Sequence, residues 1–331
     1  MDLKRVLLIH TGGTLGMRGR RPHALKPGAF LSTLKGRVPE LFELAQIELE
    51  LFSNVDSSEI QPESWPVLAE RLHQRLKHFD GAVVTHGTDT LAWSACALSF
   101  MLPGLDKPVV LTGAQRPLAE VRTDARLNLI DAVTSALQGP REVTVCFDSH
   151  LYRGNRVRKV SAGEFDAFDS PNCPPLGVLG VDVRFQAGLS RKTSRQLDPG
   201  LDPRVYLLKV FPGLDPNVVL PMLGHIGGLV VEAHGSGNFP MKGERSLLTV
   251  FRHARRLKVP VVVVSQAHRN GVDLTLYESG RAALDEGAIS GGDMTSSAAV
   301  VKLMHGLGRY SRSGPSLAAY ITRNVAGERT A

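Results

Sequence analysis

Along the first 150 residues, short apolar runs alternate with longer stretches in which apolar positions recur every three or four residues. Each short run stops at a polar or glycine-rich segment. Residues 5–10 (R-V-L-L-I-H) and 81–86 (G-A-V-V-T-H) are nearly continuous in apolar character, as strands covered on both faces of a parallel sheet are. Residues 47–52 read as a shorter alternating strand and 108–111 as a fourth. Helical periodicity fills the intervals. It covers 62–79, with Pro62 and Glu63 in the first turn; 88–102; and 122–137, where Leu127, Ile130, Val133 and Leu137 fall at helical spacing. This alternation predicts a doubly wound α/β fold with a mainly parallel sheet.

The pattern changes after Arg184. Residues 186–204 are polar and turn-forming, from Gly188 and Ser190 through Asp198, Pro199 and Gly200 to Asp202 and Pro203, and read as an interdomain linker. Alternation then resumes, with strands expected at 205–210, 227–233 and 259–265 and helices at 244–257 and 293–307. The expected organisation is an N-terminal domain over 1–185, a linker over 186–204 and a smaller α/β domain over 205–331. A chain of 331 residues exceeds the length at which single cores usually stop growing, which favours that division.

Composition narrows the setting. No apolar run approaches the roughly 18 to 20 residues that span a bilayer. The first apolar stretch ends at Thr11 after about five residues, too short for a secretory segment. A cytoplasmic protein without membrane attachment is expected. Cys96, Cys146 and Cys173 are widely spaced and in no ligand pattern, which fits buried thiols in a reducing compartment and no metal. The net charge of +7 raises the question of nucleic acid, but aromatic residues are only 6% and do not interleave with the basic clusters at 18–21 and 252–258. A solvated basic surface is the reading taken, with no nucleic-acid partner.

In an open parallel sheet the carboxyl ends of the strands share one edge, and ligands bind in the crevice there. T-G-G-T (11–14), D-S-S (56–58), T-H-G-T-D-T (85–90) and T-G-A-Q-R-P (112–117) all follow expected strands. Gly12, Gly13 and Gly16 match neither a dinucleotide fingerprint nor a phosphate loop; they suit a tightly turned segment that presents Thr14. Thr88 and Asp89 sit where a helix starts and have a competing explanation as caps. A helix needs one cap, however, and Thr85, Thr88 and Thr90 surround a single carboxylate. Asp56, Ser57 and Ser58 read either as a turn or as a clamp for the charged groups of an amino acid. A threonine nucleophile needs a base beside it. His86 is one candidate. Lys159 is another, its amine kept neutral by Arg153, Arg156 and Arg158 nearby in sequence. The residues leave both open.

T-G-G-T-L-G, D-S-S, T-H-G-T-D-T-L, L-T-G-A-Q-R-P-L, L-Y-R-G-N-R-x-x-K with F-D-A-F-x-S-P-N behind it, and G-G-D-M-T together resemble the bacterial L-asparaginases, specifically the cytoplasmic type I enzymes. The resemblance runs from Val6 to about Leu307. It implies that Thr14 attacks the side-chain amide of L-asparagine and that Thr88, Asp89 and Lys159 form a second catalytic group, with Thr88 still in contention as the attacking residue. It further implies that Asp56, Ser57, Ser58 and Asp89 hold the α-groups of the substrate and that Ala114 lies at its amide end. Asn238 would be presented to a neighbouring subunit's site, in a homodimer or homotetramer that uses no cofactor.

One departure concerns the lid. Relatives in the family carry a tyrosine there, and residues 17–30 contain none, offering Arg18, Arg20, Arg21, His23 and Lys26 instead. That gap suggests a second reading, a catalytically silent amino-acid-binding or regulatory protein. A third, the asparaginase-like subunit of a tRNA-dependent amidotransferase, calls for an additional N-terminal domain and a partner, whereas this sequence opens directly on the first strand.

Overall fold

The apolar runs at the start of the chain become adjacent parallel strands. In the computed structural model, which describes residues 3–18, 24–25, 30–189 and 194–330, β1 (Arg5–Gly12) lies between β2 (Gln46–Val55) and β3 (Gly81–Thr85), parallel to both. Arg20, Arg21, His23 and Lys26 of the basic segment, and residues 190–193, lie outside the described residues. Parallel pairing continues through β4 (Val109–Thr112) to β5 (Val143–Phe147). Beyond the four strands the pattern predicts, the chain adds the parallel β5 and then β6 (His150–Arg153), β7 (Gly177–Leu179) and β8 (Val183–Phe185), these last three antiparallel. The eight-stranded sheet thus has the order β8-β7-β6-β5-β4-β3-β1-β2. Within its parallel part the order 2-1-3-4-5 reverses between β1 and β3, which marks the crevice at their carboxyl ends as the topological switch point.

Burial explains the strand composition. Every residue of β3, and all but the first of β1, is buried. Val6, Leu8, Val83, Val110 and Cys146 form one core with α1 (Phe30–Arg37), α2 (Glu40–Leu44) and α5 (Ala125–Gln138). The alternate residues Leu7, Ile9, Val84 and Leu111, pointing the other way along the pleat, are equally buried. α3 (Ser64–Arg75) packs on α4 (Leu91–Met101), which lies against β4 and β5 and is apolar almost all round. All three helices expected in this part of the chain start later than their periodicity suggests, α3 at Ser64, α4 at Leu91 and α5 at Ala125. Residues 86–90 remain in a loop before α4, and Thr123 and Asp124 before α5 turn to hold residues 115–116.

The chain divides into two compact units, 1–199 and 200–331. Gln196 and Asp198 hydrogen-bond to Pro103 and Met101 within the first unit. The second has a four-stranded parallel sheet in sequential order, β9 (Val205–Lys209), β10 (Gly228–Ala233), β11 (Val261–Ser265) and β12 (Ile289–Ser290). Its longer helices are α6 (Leu248–Arg256), α7 (Glu278–Asp285), α8 (Ser296–Arg309), capped by the Thr295 hydroxyl, and α9 (Pro315–Thr322). Leu229, Val231, Val261 and Val263 pack against Val250, Phe251 and Ala254 of α6. No described helix is long and apolar enough to cross a membrane.

Candidate active site

Glycine lets the loops behind β1, β2 and β3 stack backbone on backbone. Gly13 has φ 81° and donates its N–H to Val55 O at 3.0 Å; a Cβ there would come within 2.4 Å of Gly87 Cα. A Cβ on Gly87 would in turn meet Ser57 Oγ at 2.6 Å. Thr14, Thr88 and Ser57 therefore stand on three loops in direct contact at the switch point. Thr14 opens a short 3-10 turn and is half-buried. The loop behind β4 closes the group, because His86 donates its N–H to Thr112 O at 2.8 Å.

Lys159 reaches this edge from a two-residue ladder in which it pairs with Phe168. Its Nζ donates to Thr88 Oγ1 at 2.8 Å and to Asp89 Oδ1 at 2.7 Å. The amine thus bridges a hydroxyl on a buried residue and a carboxylate that is 65% exposed. Arg153, its neighbour in sequence, is engaged elsewhere and pairs with Glu142 at 2.7 Å. Thr88 Oγ1 also donates to Gln115 Oε1 at 3.3 Å, and Gln115 Nε2 donates to Glu164 O at 2.9 Å. Gln115 is a site residue the sequence reading did not single out, although it stands at a strand end inside L-T-G-A-Q-R-P-L.

Around this cluster, Asp56 accepts at Oδ1 from Ser58 N (2.9 Å) and Ser58 Oγ (2.8 Å), with Asp56 half-buried and Ser58 exposed. Ser57 is buried beneath Gly87, and its carbonyl accepts from Thr90 Oγ1 at 2.6 Å. Ala114 is buried on a loop fixed from α5: Asp124 accepts from Gln115 N and Arg116 N, and Asn128 donates to Gly113 O. Burial holds the Asp124 carboxyl above the ordinary range despite those bonds. Asn238 belongs to the second unit. There its side chain accepts from Ser279 Oγ at 2.8 Å and lines a cavity of about 490 Å³ with Lys242, Tyr277 and Glu278.

His86 and His10 serve the scaffold. His86 Nδ1 lies 2.8 Å from Gly87 O, and its Nε2 lies 2.9 Å from Ser94 Oγ, which accepts from Trp65 Nε1 at 3.0 Å. A carbonyl only accepts, so Nδ1 carries the proton and Nε2 takes the serine hydroxyl. Both ring nitrogens are committed, and burial lowers the pKa to about 4. Of the two bases the sequence leaves open, Lys159 is the one that touches a threonine hydroxyl. His10, held at 2.7 Å by Thr85 Oγ1 and stacked on Phe30, is lowered by burial to about 4 as well. Among the described residues no group of three or more His, Cys, Asp or Glu side chains is placed to hold a metal ion.

Residues 5–191 match the family model "Asparaginase, N-terminal" and residues 204–315 the "Glutaminase/Asparaginase C-terminal domain". The L-asparaginase of Thermococcus kodakarensis is 40% identical over 289 residues, covering 86% of this chain and 87% of that one. L-asparaginase 1 of Escherichia coli K12 is 33% identical over 100% of this chain and 99% of its own. The crystal structure of L-asparaginase I from Vibrio cholerae superposes with a TM-score of 0.90 at 32% identity, over all of both chains. The chain belongs to the asparaginase family.

Proposed function

We propose that the protein hydrolyses L-asparagine to L-aspartate and ammonia through an acyl-enzyme on Thr14. The observation that carries this reading is the Lys159 bridge to Thr88 and Asp89, beside the loop that presents Thr14. Thr14 Oγ forms a bond to the carboxamide carbon and the C–N bond breaks; the hydroxyl proton leaves with the nitrogen as ammonia. Water then cleaves the ester, giving the carboxyl group of aspartate and restoring the threonine. Thr88 and Lys159 carry the proton between these steps, while Asp89 fixes the amine. Asp56, Ser57, Ser58 and the exposed edge of Asp89 take the α-ammonium and α-carboxylate, and Ala114 borders the amide end. Asn238 completes the site of a neighbouring copy in a dimer or tetramer. The same reading places the enzyme in the cytoplasm.

The test is ammonia release by the pure protein, with asparagine and glutamine offered separately. Thr14→Ala and Thr88→Ala should each lower turnover by roughly 100-fold to 10,000-fold, the scale of lost acid–base or nucleophilic assistance. Folding stability should change by only about 1 kcal/mol, as for a lost cap. Near-normal rates in both variants would sink the catalytic assignment, and a wild-type protein that binds asparagine without releasing ammonia would favour the silent binding reading.

A further inference from the structure

The large sheet ends on β8, which has no partner strand on its outer side among the described residues. Its register with β7 pairs Gly177 with Phe185, Val178 with Arg184 and Leu179 with Val183. Gln186 donates its N–H to Leu176 O at 2.7 Å, so the hydrogen-bonded positions facing β7 are 184 and 186. Antiparallel ladders alternate, and the N–H and C=O groups of Val183 and Phe185 therefore turn to the open side.

Edges are ordinarily blunted by short strands, charged side chains, proline or a bulge; this one is short and carries Asp182 and Arg184, yet it also leaves Val181 and Val183 exposed by 106% and 43%, with Val178 of β7 exposed by 46% beside them. They adjoin a groove of about 580 Å³ bordered by Pro175, Asp182, Arg184 and Phe185. Asp182 and Arg184 project from one face with their charged ends 3.5 Å apart, 75% and 81% exposed. Such a pair, two positions apart, is complementary to itself. Antiparallel pairing about an axis at Val183 sets Val183 opposite Val183 of the second copy, with ladder bonds available, and sets each Asp182 opposite the other copy's Arg184. Centring on Arg184 instead brings two guanidinium groups together, and centring on Asp182 brings two carboxylates together.

We propose that β8 docks a second copy of this chain, strand to strand and antiparallel about a two-fold axis at Val183, joining two sheets edge to edge. The proposal is independent of the catalytic reading. In a hydrogen-bonded antiparallel pair the Cα atoms of facing residues are about 5.5 Å apart, within the span of a disulfide. Val183→Cys should therefore give a covalent dimer on a non-reducing gel after mild oxidation. The wild type, with its own three cysteines, and Val218→Cys, 76% exposed in the second unit, should not. Light scattering supplies the second arm: Arg184→Asp should weaken association roughly tenfold or more, and Asp182→Arg with Arg184→Asp should restore it. No cross-link at Val183→Cys, or a mass for Arg184→Asp equal to that of the wild type across the concentration range, would overturn the proposal.

Discussion

At Thr88 a single hydroxyl proton lies between two neighbours with opposite demands. Lys159 offers an N–H at 2.8 Å, and Gln115, whose amide nitrogen is committed to the Glu164 carbonyl, presents only oxygen. The Thr88 proton therefore points to Gln115, and in the proposed reaction the hydroxyl would have to turn before its proton reached Lys159. Gln115 is in this sense a positioning residue that sets the resting orientation. Gln115→Met keeps most of the bulk and removes both bonds. Steady-state ammonia release should show turnover falling roughly threefold to tenfold, the effect of one neutral hydrogen bond of about 1 kcal/mol, with a smaller change in KM. An unchanged turnover would remove Gln115 from the site. The threonines and the D-S-S segment could be read from the sequence because each stands behind a strand the hydrophobic pattern reveals. Lys159 could not be joined to Thr88 that way. It arrives from a ladder of two residues, too short for any periodicity to show. An amide that only orients a hydroxyl has no chemistry of its own to mark it.

Among the elements, the first four strands and the longer helices were legible, whereas β5 (Val143–Phe147) and the shorter strands that follow it were not. β5 and β6 meet through Asp148 and Ser149, with φ 46° and 57°, a two-residue turn made without the glycine that usually signals a hairpin. β7 and β8 have three residues each, too few to show a period, with the middle residue of β7 exposed and no residue of β8 buried. Helix α5 was visible as a pattern, yet the pattern conceals a polar residue on its buried side. Asp131 is 6% exposed and has one carboxylate oxygen without a hydrogen-bond partner. Burial raises its pKa from 3.8 to about 6, against the bond from Ser149. For an acid raised in the folded state, stability is whole below the unfolded value of 3.8 and is lost as pH rises through about 6. Asp131→Asn should accordingly raise the melting temperature at pH 8, by up to about 3 kcal/mol in stability, and give almost no gain near pH 4. Equal gains at both pH values would show that the carboxylate charge is not the cause.

On the scale of the whole molecule, the reversal of strand order between β1 and β3 gathers Thr14, Thr88 and Lys159 at one edge of the first unit, while Asn238 stands in the second. The fold of that second unit depends on the end of the chain. Lys302 on α8 is wholly buried, donating to Ile321 O at 2.9 Å, Arg323 O at 2.6 Å and the equally buried Glu328 carboxylate. Glu328 also accepts from Val325 N at 3.0 Å and Ala326 N at 2.7 Å. Two residues on, Thr330 donates its N–H to Asp293 at 2.8 Å, inside the G-G-D-M-T motif. The motif thus gains a structural use, fastening residues 324–330 onto the second unit. Burial lowers Lys302 to about 8 even with Glu328 beside it, so the pair is held against a desolvation cost that the charge of Glu328 and the hydrogen bonds offset only in part. Glu328→Ala would leave a buried amine without its counter-ion and should cost about 3 to 5 kcal/mol, whereas Lys302→Met with Glu328→Leu should recover most of that loss. Thermal unfolding of both variants decides the point. A wild-type melting temperature for Glu328→Ala would mean that the backbone contacts of Lys302 alone hold the segment.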